Sequence, residues 1–135
     1  PPTMPWKTAD ARYTKEDDGL KKAWHGRVWL NPPYGRQVSL WMDKMARHDN
    51  GIAMICARTD TSWWHTYVWP KASAILFMKG RINFYNVDGT RSKSNAGAAI
   101  ALVSYNASNS CLLRASNIPG YFVDLCSDTV SQIKP

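Results

Sequence analysis

The residues best suited to chemistry gather in one short stretch, Asn31-Pro32-Pro33-Tyr34, followed by Gly35. Two consecutive prolines fix φ and carry no N–H, so their carbonyls are left to accept. Asn31 adds a side-chain acceptor and Tyr34 a flat face. Such a set can hold an amino group with its lone pair pushed toward an electrophile, while the attached planar ring stacks on the tyrosine. The blander reading is a loop in which Pro-Pro merely ends a strand. It suffices for Pro-Pro alone, and less well for all four residues set between an apolar strand and a helix.

Those flanking elements are readable. Gly26 to Leu30, with its Arg27-Val28-Trp29-Leu30 run, reads as a buried strand. Val38, Trp41, Met42 and Met45 fall at helical spacing, which predicts a helix over 36–48 closed by a glycine, Gly51, just past its end. Ile52 to Ala57 is wholly apolar and reads as a strand buried on both faces. Strand, helix and strand of these lengths make a βαβ unit with parallel strands and a right-handed crossover. Asn31 then lies at the carboxyl edge of the sheet, where α/β folds bind ligands. The run from Arg58 to His65 lies at the same edge. Thr61 or Ser62 caps a helix that runs to about Trp69 and stops at Pro70. Asp60 and Thr61 suit either plain capping or a role in the site, and Arg58 suits phosphate or base contact.

Further along, strands are expected at 74–78, 82–85, 97–105 and 121–125. Val87-Asp88-Gly89-Thr90 is a turn signal that makes 82–85 part of a hairpin, with Arg91, Lys93 and Asn95 in a polar loop after it. Asn106 to Asn109 reads as a turn and Cys111 to Ser116 as a short helix. Pro1 to Thr8 reads as an irregular lead-in, and 127–135 as a loose tail. There is no internal repeat or low-complexity segment.

The totals narrow the class. A chain of 135 residues, 44% hydrophobic, is expected to form one α/β domain with a real core. No apolar run is long enough for a bilayer, and no signal peptide is recognisable. Three cysteines, Cys56, Cys111 and Cys126, are odd in number and widely spaced, which fits neither a disulfide framework nor a zinc pattern. A reducing, cytoplasmic setting without a metal is the simpler expectation. The net charge of +7 favours a polyanionic partner such as nucleic acid. Seven tryptophans allow base stacking, although most are expected in the core.

An Asn/Asp-Pro-Pro-Tyr motif is similar to that of S-adenosylmethionine-dependent amino-methyltransferases. The rest of the chain narrows this further. Asp18-Gly19-Leu20, Trp24, Asn31 to Gly35, Trp41, Arg58-Thr59-Asp60-Thr61, Trp63-Trp64-His65, Gly80-Arg81-Ile82-Asn83-Phe84 and Asn95-Ala96-Gly97 occur in an order that resembles the phage-type DNA adenine methyltransferases, from about Arg12 to Leu125. The resemblance implies a compact Rossmann-like methyltransferase sheet, mixed and with an antiparallel hairpin. It implies S-adenosylmethionine as cofactor and adenine in DNA as substrate. Asn31 and the carbonyls of Pro32 and Pro33 would accept from the exocyclic amine, Tyr34 would stack on the base, and Phe84 would close its other face after base flipping. Arg58, Asp60, Thr61, Arg81, Arg91, Lys93 and Asn95 would face DNA. Asn31 would also meet the cofactor, together with Asp17 or Asp18. The acidic run Glu16-Asp17-Asp18 is otherwise explained as a solvated helix start. Family members carry an upstream cofactor segment that ends about where Pro1 begins, so a fragment, or a segment supplied elsewhere, is the expectation. Two other readings share the motif: a DNA-binding remnant that has lost the cofactor half, and a protein-glutamine methyltransferase. The positive charge and basic hairpin speak against the latter.

Overall fold

The computed structural model describes residues 7–14, 16–86 and 88–126. The segments 1–6 and 127–135, and Val87 of the hairpin turn, lie outside the described residues.

The βαβ unit forms with parallel strands, but its first strand is not the buried one expected, since Trp29 is exposed and Val28 only half-buried. Strand β1 (Val28–Leu30) leads through α1 (Val38–His48) to β2 (Gly51–Cys56), and the two strands pair in parallel, Val28 with Gly51 and Leu30 with Ala53. β1 starts two residues later than expected because Gly26 takes a left-handed φ of 63° and turns the chain first. The helix is not closed by glycine. Asp49 takes the left-handed position, with φ 50°, and its N–H donates to Met45 O. Gly51 has another function: a Cβ there would sit 2.2 Å from the Val28 carbonyl oxygen, so only glycine lets β1 and β2 approach this closely.

After β2 come α2 (Ser62–Tyr67), β3 (Ala74–Met78), β4 (Asn83–Tyr85), β5 (Arg91–Asn95), β6 (Ile100–Tyr105), α3 (Ala107–Arg114) and β7 (Gly120–Asp124). The main sheet has the order β1-β2-β6-β3-β7, with β6 antiparallel to β2 and β3, and β7 antiparallel to β3. β4 and β5 form a separate antiparallel pair, Asn83 opposite Asn95 and Tyr85 opposite Arg91. The fold is a mixed α/β arrangement around a five-stranded mixed sheet.

Four more expectations are corrected. α2 ends at Tyr67 rather than near Trp69, because Pro70 disfavours helical geometry one residue earlier and the chain tightens into turns from Val68. Arg91 to Asn95 is a strand rather than a loop; its polar side chains carry no apolar alternation to reveal it. Asn106 is a helix cap rather than part of a turn, its side chain accepting from Asn109 N–H, and α3 therefore begins four residues early. β2 is buried on one face and only half-buried on the other.

The core explains that asymmetry. Met42 and Met45 of α1 and Trp64 of α2, with Val68 just after it, pack on Ala53, Ile55, Ile75, Val103 and Tyr105. On the opposite face, α3 sets Leu113 against Leu76 and Leu102, with Ile52 and Met54 of β2 only partly buried beside them. Each fully buried large side chain contributes about 1.5–3 kcal/mol. Five of the tryptophans, 24, 41, 63, 64 and 69, belong to or pack against the first cluster, while Trp29 stays exposed.

Candidate functional site

β1, β2 and β3 all run the same way, because β6 is antiparallel to both β2 and β3. Their carboxyl ends therefore share one edge of the sheet. That edge carries the Asn31–Tyr34 segment after β1, the 57–61 loop after β2 and Lys79-Gly80-Arg81 after β3. The β4–β5 hairpin leaves from β3 and returns to β6 at this same edge.

Asn31 is exposed at the end of β1, and its side chain has no hydrogen-bond partner among the described residues. Pro32 is buried and anchors the segment; Pro33 is exposed. Tyr34 is half-exposed, and partial burial pushes its phenol above the usual tyrosine range, with the nearby Cys56 adding to the effect. It is thus a neutral ring at physiological pH. Gly35 takes a φ of 116°, which side-chain-bearing residues rarely adopt, and releases the chain toward α1.

A cleft of about 450 Å³ opens here, lined by Tyr34, Gly35, Arg36, Val38, Cys56, Arg58, Thr61 and Trp63. Arg58 follows a tight turn in which its N–H donates to Cys56 O at 2.8 Å. Thr61 Oγ1 donates to Arg58 O at 2.7 Å rather than capping α2, so the two residues are fixed together. Asp60 is exposed in the same loop but does not line the cleft, and neither does Asn31. Arg36, Cys56 and Trp63 had no place in the sequence-based site. Arg36 comes just after Gly35, and Trp63, about 100° around the helix from the core residue Trp64, packs partly buried at the margin of the core where it also lines the cleft.

The hairpin holds the other expected DNA-facing residues. Arg81, Phe84, Arg91, Lys93 and Asn95 are all exposed. Arg91 donates from Nη2 to Asn83 Oδ1 across the pair. Asp88 accepts from Thr90 N–H and Oγ1, which holds its carboxyl below the usual range and fixes the turn. Tyr85, 66% exposed beside Phe84, is a further aromatic face on this hairpin.

Asp17 and Asp18 lie apart from the cleft lining, in the 16–22 turn. Asp17 Oδ2 accepts from Thr14 N–H at 2.7 Å and Thr14 Oγ1 at 2.9 Å, which lowers its pKa. Asp18, at φ 50°, pairs with Lys21 at 3.0 Å and is lowered chiefly by that contact. Lys44 of α1 pins the turn, donating from Nζ to the carbonyls of Gly19, Leu20 and Lys22 and lying 4.9 Å from the Trp24 ring centre.

Among the described residues no cluster of three or more His, Cys, Asp or Glu could hold a metal, and no helix is long and apolar enough to cross a membrane. No curated protein and no solved structure matches the chain. A family model described as DNA N-6-adenine-methyltransferase (Dam) matches residues 6–117, the greater part of the sequence and every element that builds the shared edge, so the chain belongs to the DNA N-6-adenine-methyltransferase family.

Proposed function

We propose that the chain transfers a methyl group from S-adenosylmethionine to the exocyclic amine of adenine in DNA, on a Rossmann-like methyltransferase sheet. The observation that carries this is the free acceptor of Asn31 at the carboxyl end of β1, next to an aromatic cleft, in a chain of this family.

In this reading Asn31 Oδ1 and the Pro32 carbonyl accept from the adenine N–H groups. They orient the nitrogen lone pair outward and stabilise the positive charge that develops on the amine. Pro33 stiffens the segment so that these acceptors need no reordering, and Tyr34 stacks on the base. The hairpin residues Arg81, Arg91, Lys93 and Asn95, with Arg58, Asp60 and Thr61 from the β2–α2 loop, contact the duplex, and Phe84 offers an exposed aromatic face to the DNA.

The cofactor fits one place better than another. Among the described residues the cleft lining has two guanidiniums and no carboxylate, a poor match for a sulfonium cation. Asp17 and Asp18 are ionised, and Asp17 Oδ1 accepts from no described residue. Carboxylates of this kind suit ribose hydroxyls and a sulfonium, so Asp17 and Asp18, with Asn31, would hold S-adenosylmethionine. Bound there, it would supply an electrophilic methyl group.

The test is incubation with labelled S-adenosylmethionine and duplex DNA, with a glutamine-containing peptide in parallel. Label appearing as N6-methyladenine supports the reading. Label on the peptide alone, or heat of DNA binding with none of cofactor binding, overturns it.

A further inference from the structure

We infer that the cleft between Tyr34 and Trp63 is the seat of the substrate nucleotide together with its own phosphate, with Arg36 as the phosphate anchor and Trp63 as the second aromatic wall. This rests on the methylation reading and deepens it. Four observations on the cleft lead there. Its volume, about 450 Å³, lies within the ~300–1,000 Å³ of small-molecule sites. It has two aromatic residues from different elements, Tyr34 from the β1–α1 connection and Trp63 from α2, which suits a planar ring. It has two guanidiniums, Arg36 and Arg58, and neither forms an ion pair with a described residue. Finally, among the described residues no carboxylate lines it.

A guanidinium fork without a carboxylate partner selects an anion, and phosphate is the anion attached to a planar base. The same charge pattern repels a sulfonium, so the cleft takes the nucleotide and the sulfonium centre of the cofactor lies outside it. Arg58 is tied by its carbonyl to Thr61, which fixes the backbone at that side. Arg36 follows Gly35, whose unusual φ sets the direction of the chain as it enters α1. Trp63 rests on buried Trp64, ring centres 5.6 Å apart, so the wall is supported from behind. Phe84 lines no part of this cleft. Its contact would then be with DNA outside the pocket.

Calorimetry on the whole chain with deoxyadenosine 5′-monophosphate, deoxyadenosine and S-adenosylmethionine tests this. The monophosphate is expected to bind about tenfold more tightly than the nucleoside. Arg36→Gln, an exposed change that spares folding, should reduce that advantage to about twofold or less and leave nucleoside affinity unchanged. Trp63→Leu should weaken both ligands about tenfold, and Trp63→Phe should retain most of the affinity. Saturating S-adenosylmethionine should leave the monophosphate affinity unaltered. Equal affinity for monophosphate and nucleoside, no heat with the monophosphate, a full phosphate advantage in Arg36→Gln, or competition by S-adenosylmethionine would each overturn the assignment. Methyl transfer measured on the same preparation separates the two readings. Transfer to DNA without a phosphate advantage sinks the cleft assignment alone. A phosphate advantage without transfer sinks the methylation reading.

Discussion

Asn31 offers its amide to solvent at the end of the edge strand β1, which pairs with β2 on one side, and a side chain so placed contributes little to folding. Asn31→Ala should therefore leave the fold and DNA affinity intact while lowering methyl transfer at least ~100-fold, the usual effect of removing one positioned polar group. Asn31→Asp keeps an oxygen in the same place and should retain much more activity than the alanine variant. An alanine variant that loses DNA binding along with activity would remove Asn31 from its assigned role. Asp17 gives a second residue-scale prediction. Its pKa is lowered mainly by the Thr14 N–H, so the bond favours folding above the ordinary carboxylate value of 3.8 and is lost as pH falls through the lowered value. In Thr14→Ala the hydroxyl bond is gone, and an NMR titration should find Asp17 moved up toward 3.8. No movement would mean the backbone N–H alone sets it. Much at this scale was legible in the sequence. The tetrapeptide marks its own position because each residue type in it has a distinct chemical use. Arg36 and Trp63 were not, because an arginine after a loop and a tryptophan beside another tryptophan have no signature until the chain folds them onto one cleft.

Two side chains join elements that the sequence pattern treats separately. Lys44 ties α1 to the 16–22 turn through three carbonyls, and burial of its ammonium lowers its pKa. Lys44→Met should cost on the order of 1–2 kcal/mol in chemical denaturation and raise hydrogen exchange across 16–24. Unchanged exchange there would mean that the Trp24–Trp41 stacking, with ring centres 6.3 Å apart, holds the turn unaided. Asn109, wholly buried, joins α3 to the end of β6, to the α1–β2 connection and to the residue before β1: Nδ2 donates to Tyr105 O, Asn50 Oδ1 and Asn106 Oδ1, and Oδ1 accepts from Arg27 Nε at 2.7 Å. Asn109→Ala strands these groups and should cost about 1–3 kcal/mol. Apolar periodicity located the strands and α1, because burial writes a repeating pattern into the chain. It found α3 only from Cys111 and missed its first turn, where Ala107-Ser108-Asn109-Ser110 begins the helix with small and polar residues. It was silent on β5, where backbone pairing with β4 alone makes the strand.

Charge acts on the scale of the whole molecule. Seventeen Lys and Arg against ten Asp and Glu leave a net +7, enough to draw the chain to a polyanion but not to say which surface meets it. Topology narrows that choice, since the hairpin is inserted between β3 and β6 at the edge that also carries Asn31 and Arg58. Between Arg81 and Asn95 the hairpin has three cations and one carboxylate, and Thr90 already holds that carboxylate, Asp88. Phe84 and Tyr85 are exposed beside them, in place to rest on bases or sugars. Binding of DNA here must release counterions, so affinity should fall linearly in log–log form as salt rises. Arg81→Ala should weaken binding to all sequences alike and reduce the magnitude of that slope by about one. Because Arg81 is exposed and makes no ion pair with a described residue, its loss should leave thermal stability within about 0.5 kcal/mol of the parent. Fluorescence anisotropy across a salt series reads the slope directly. A slope unchanged in Arg81→Ala but reduced in Arg58→Ala would move the phosphate contact from the hairpin to the β2–α2 loop, leaving the duplex to cross the molecule along the cleft.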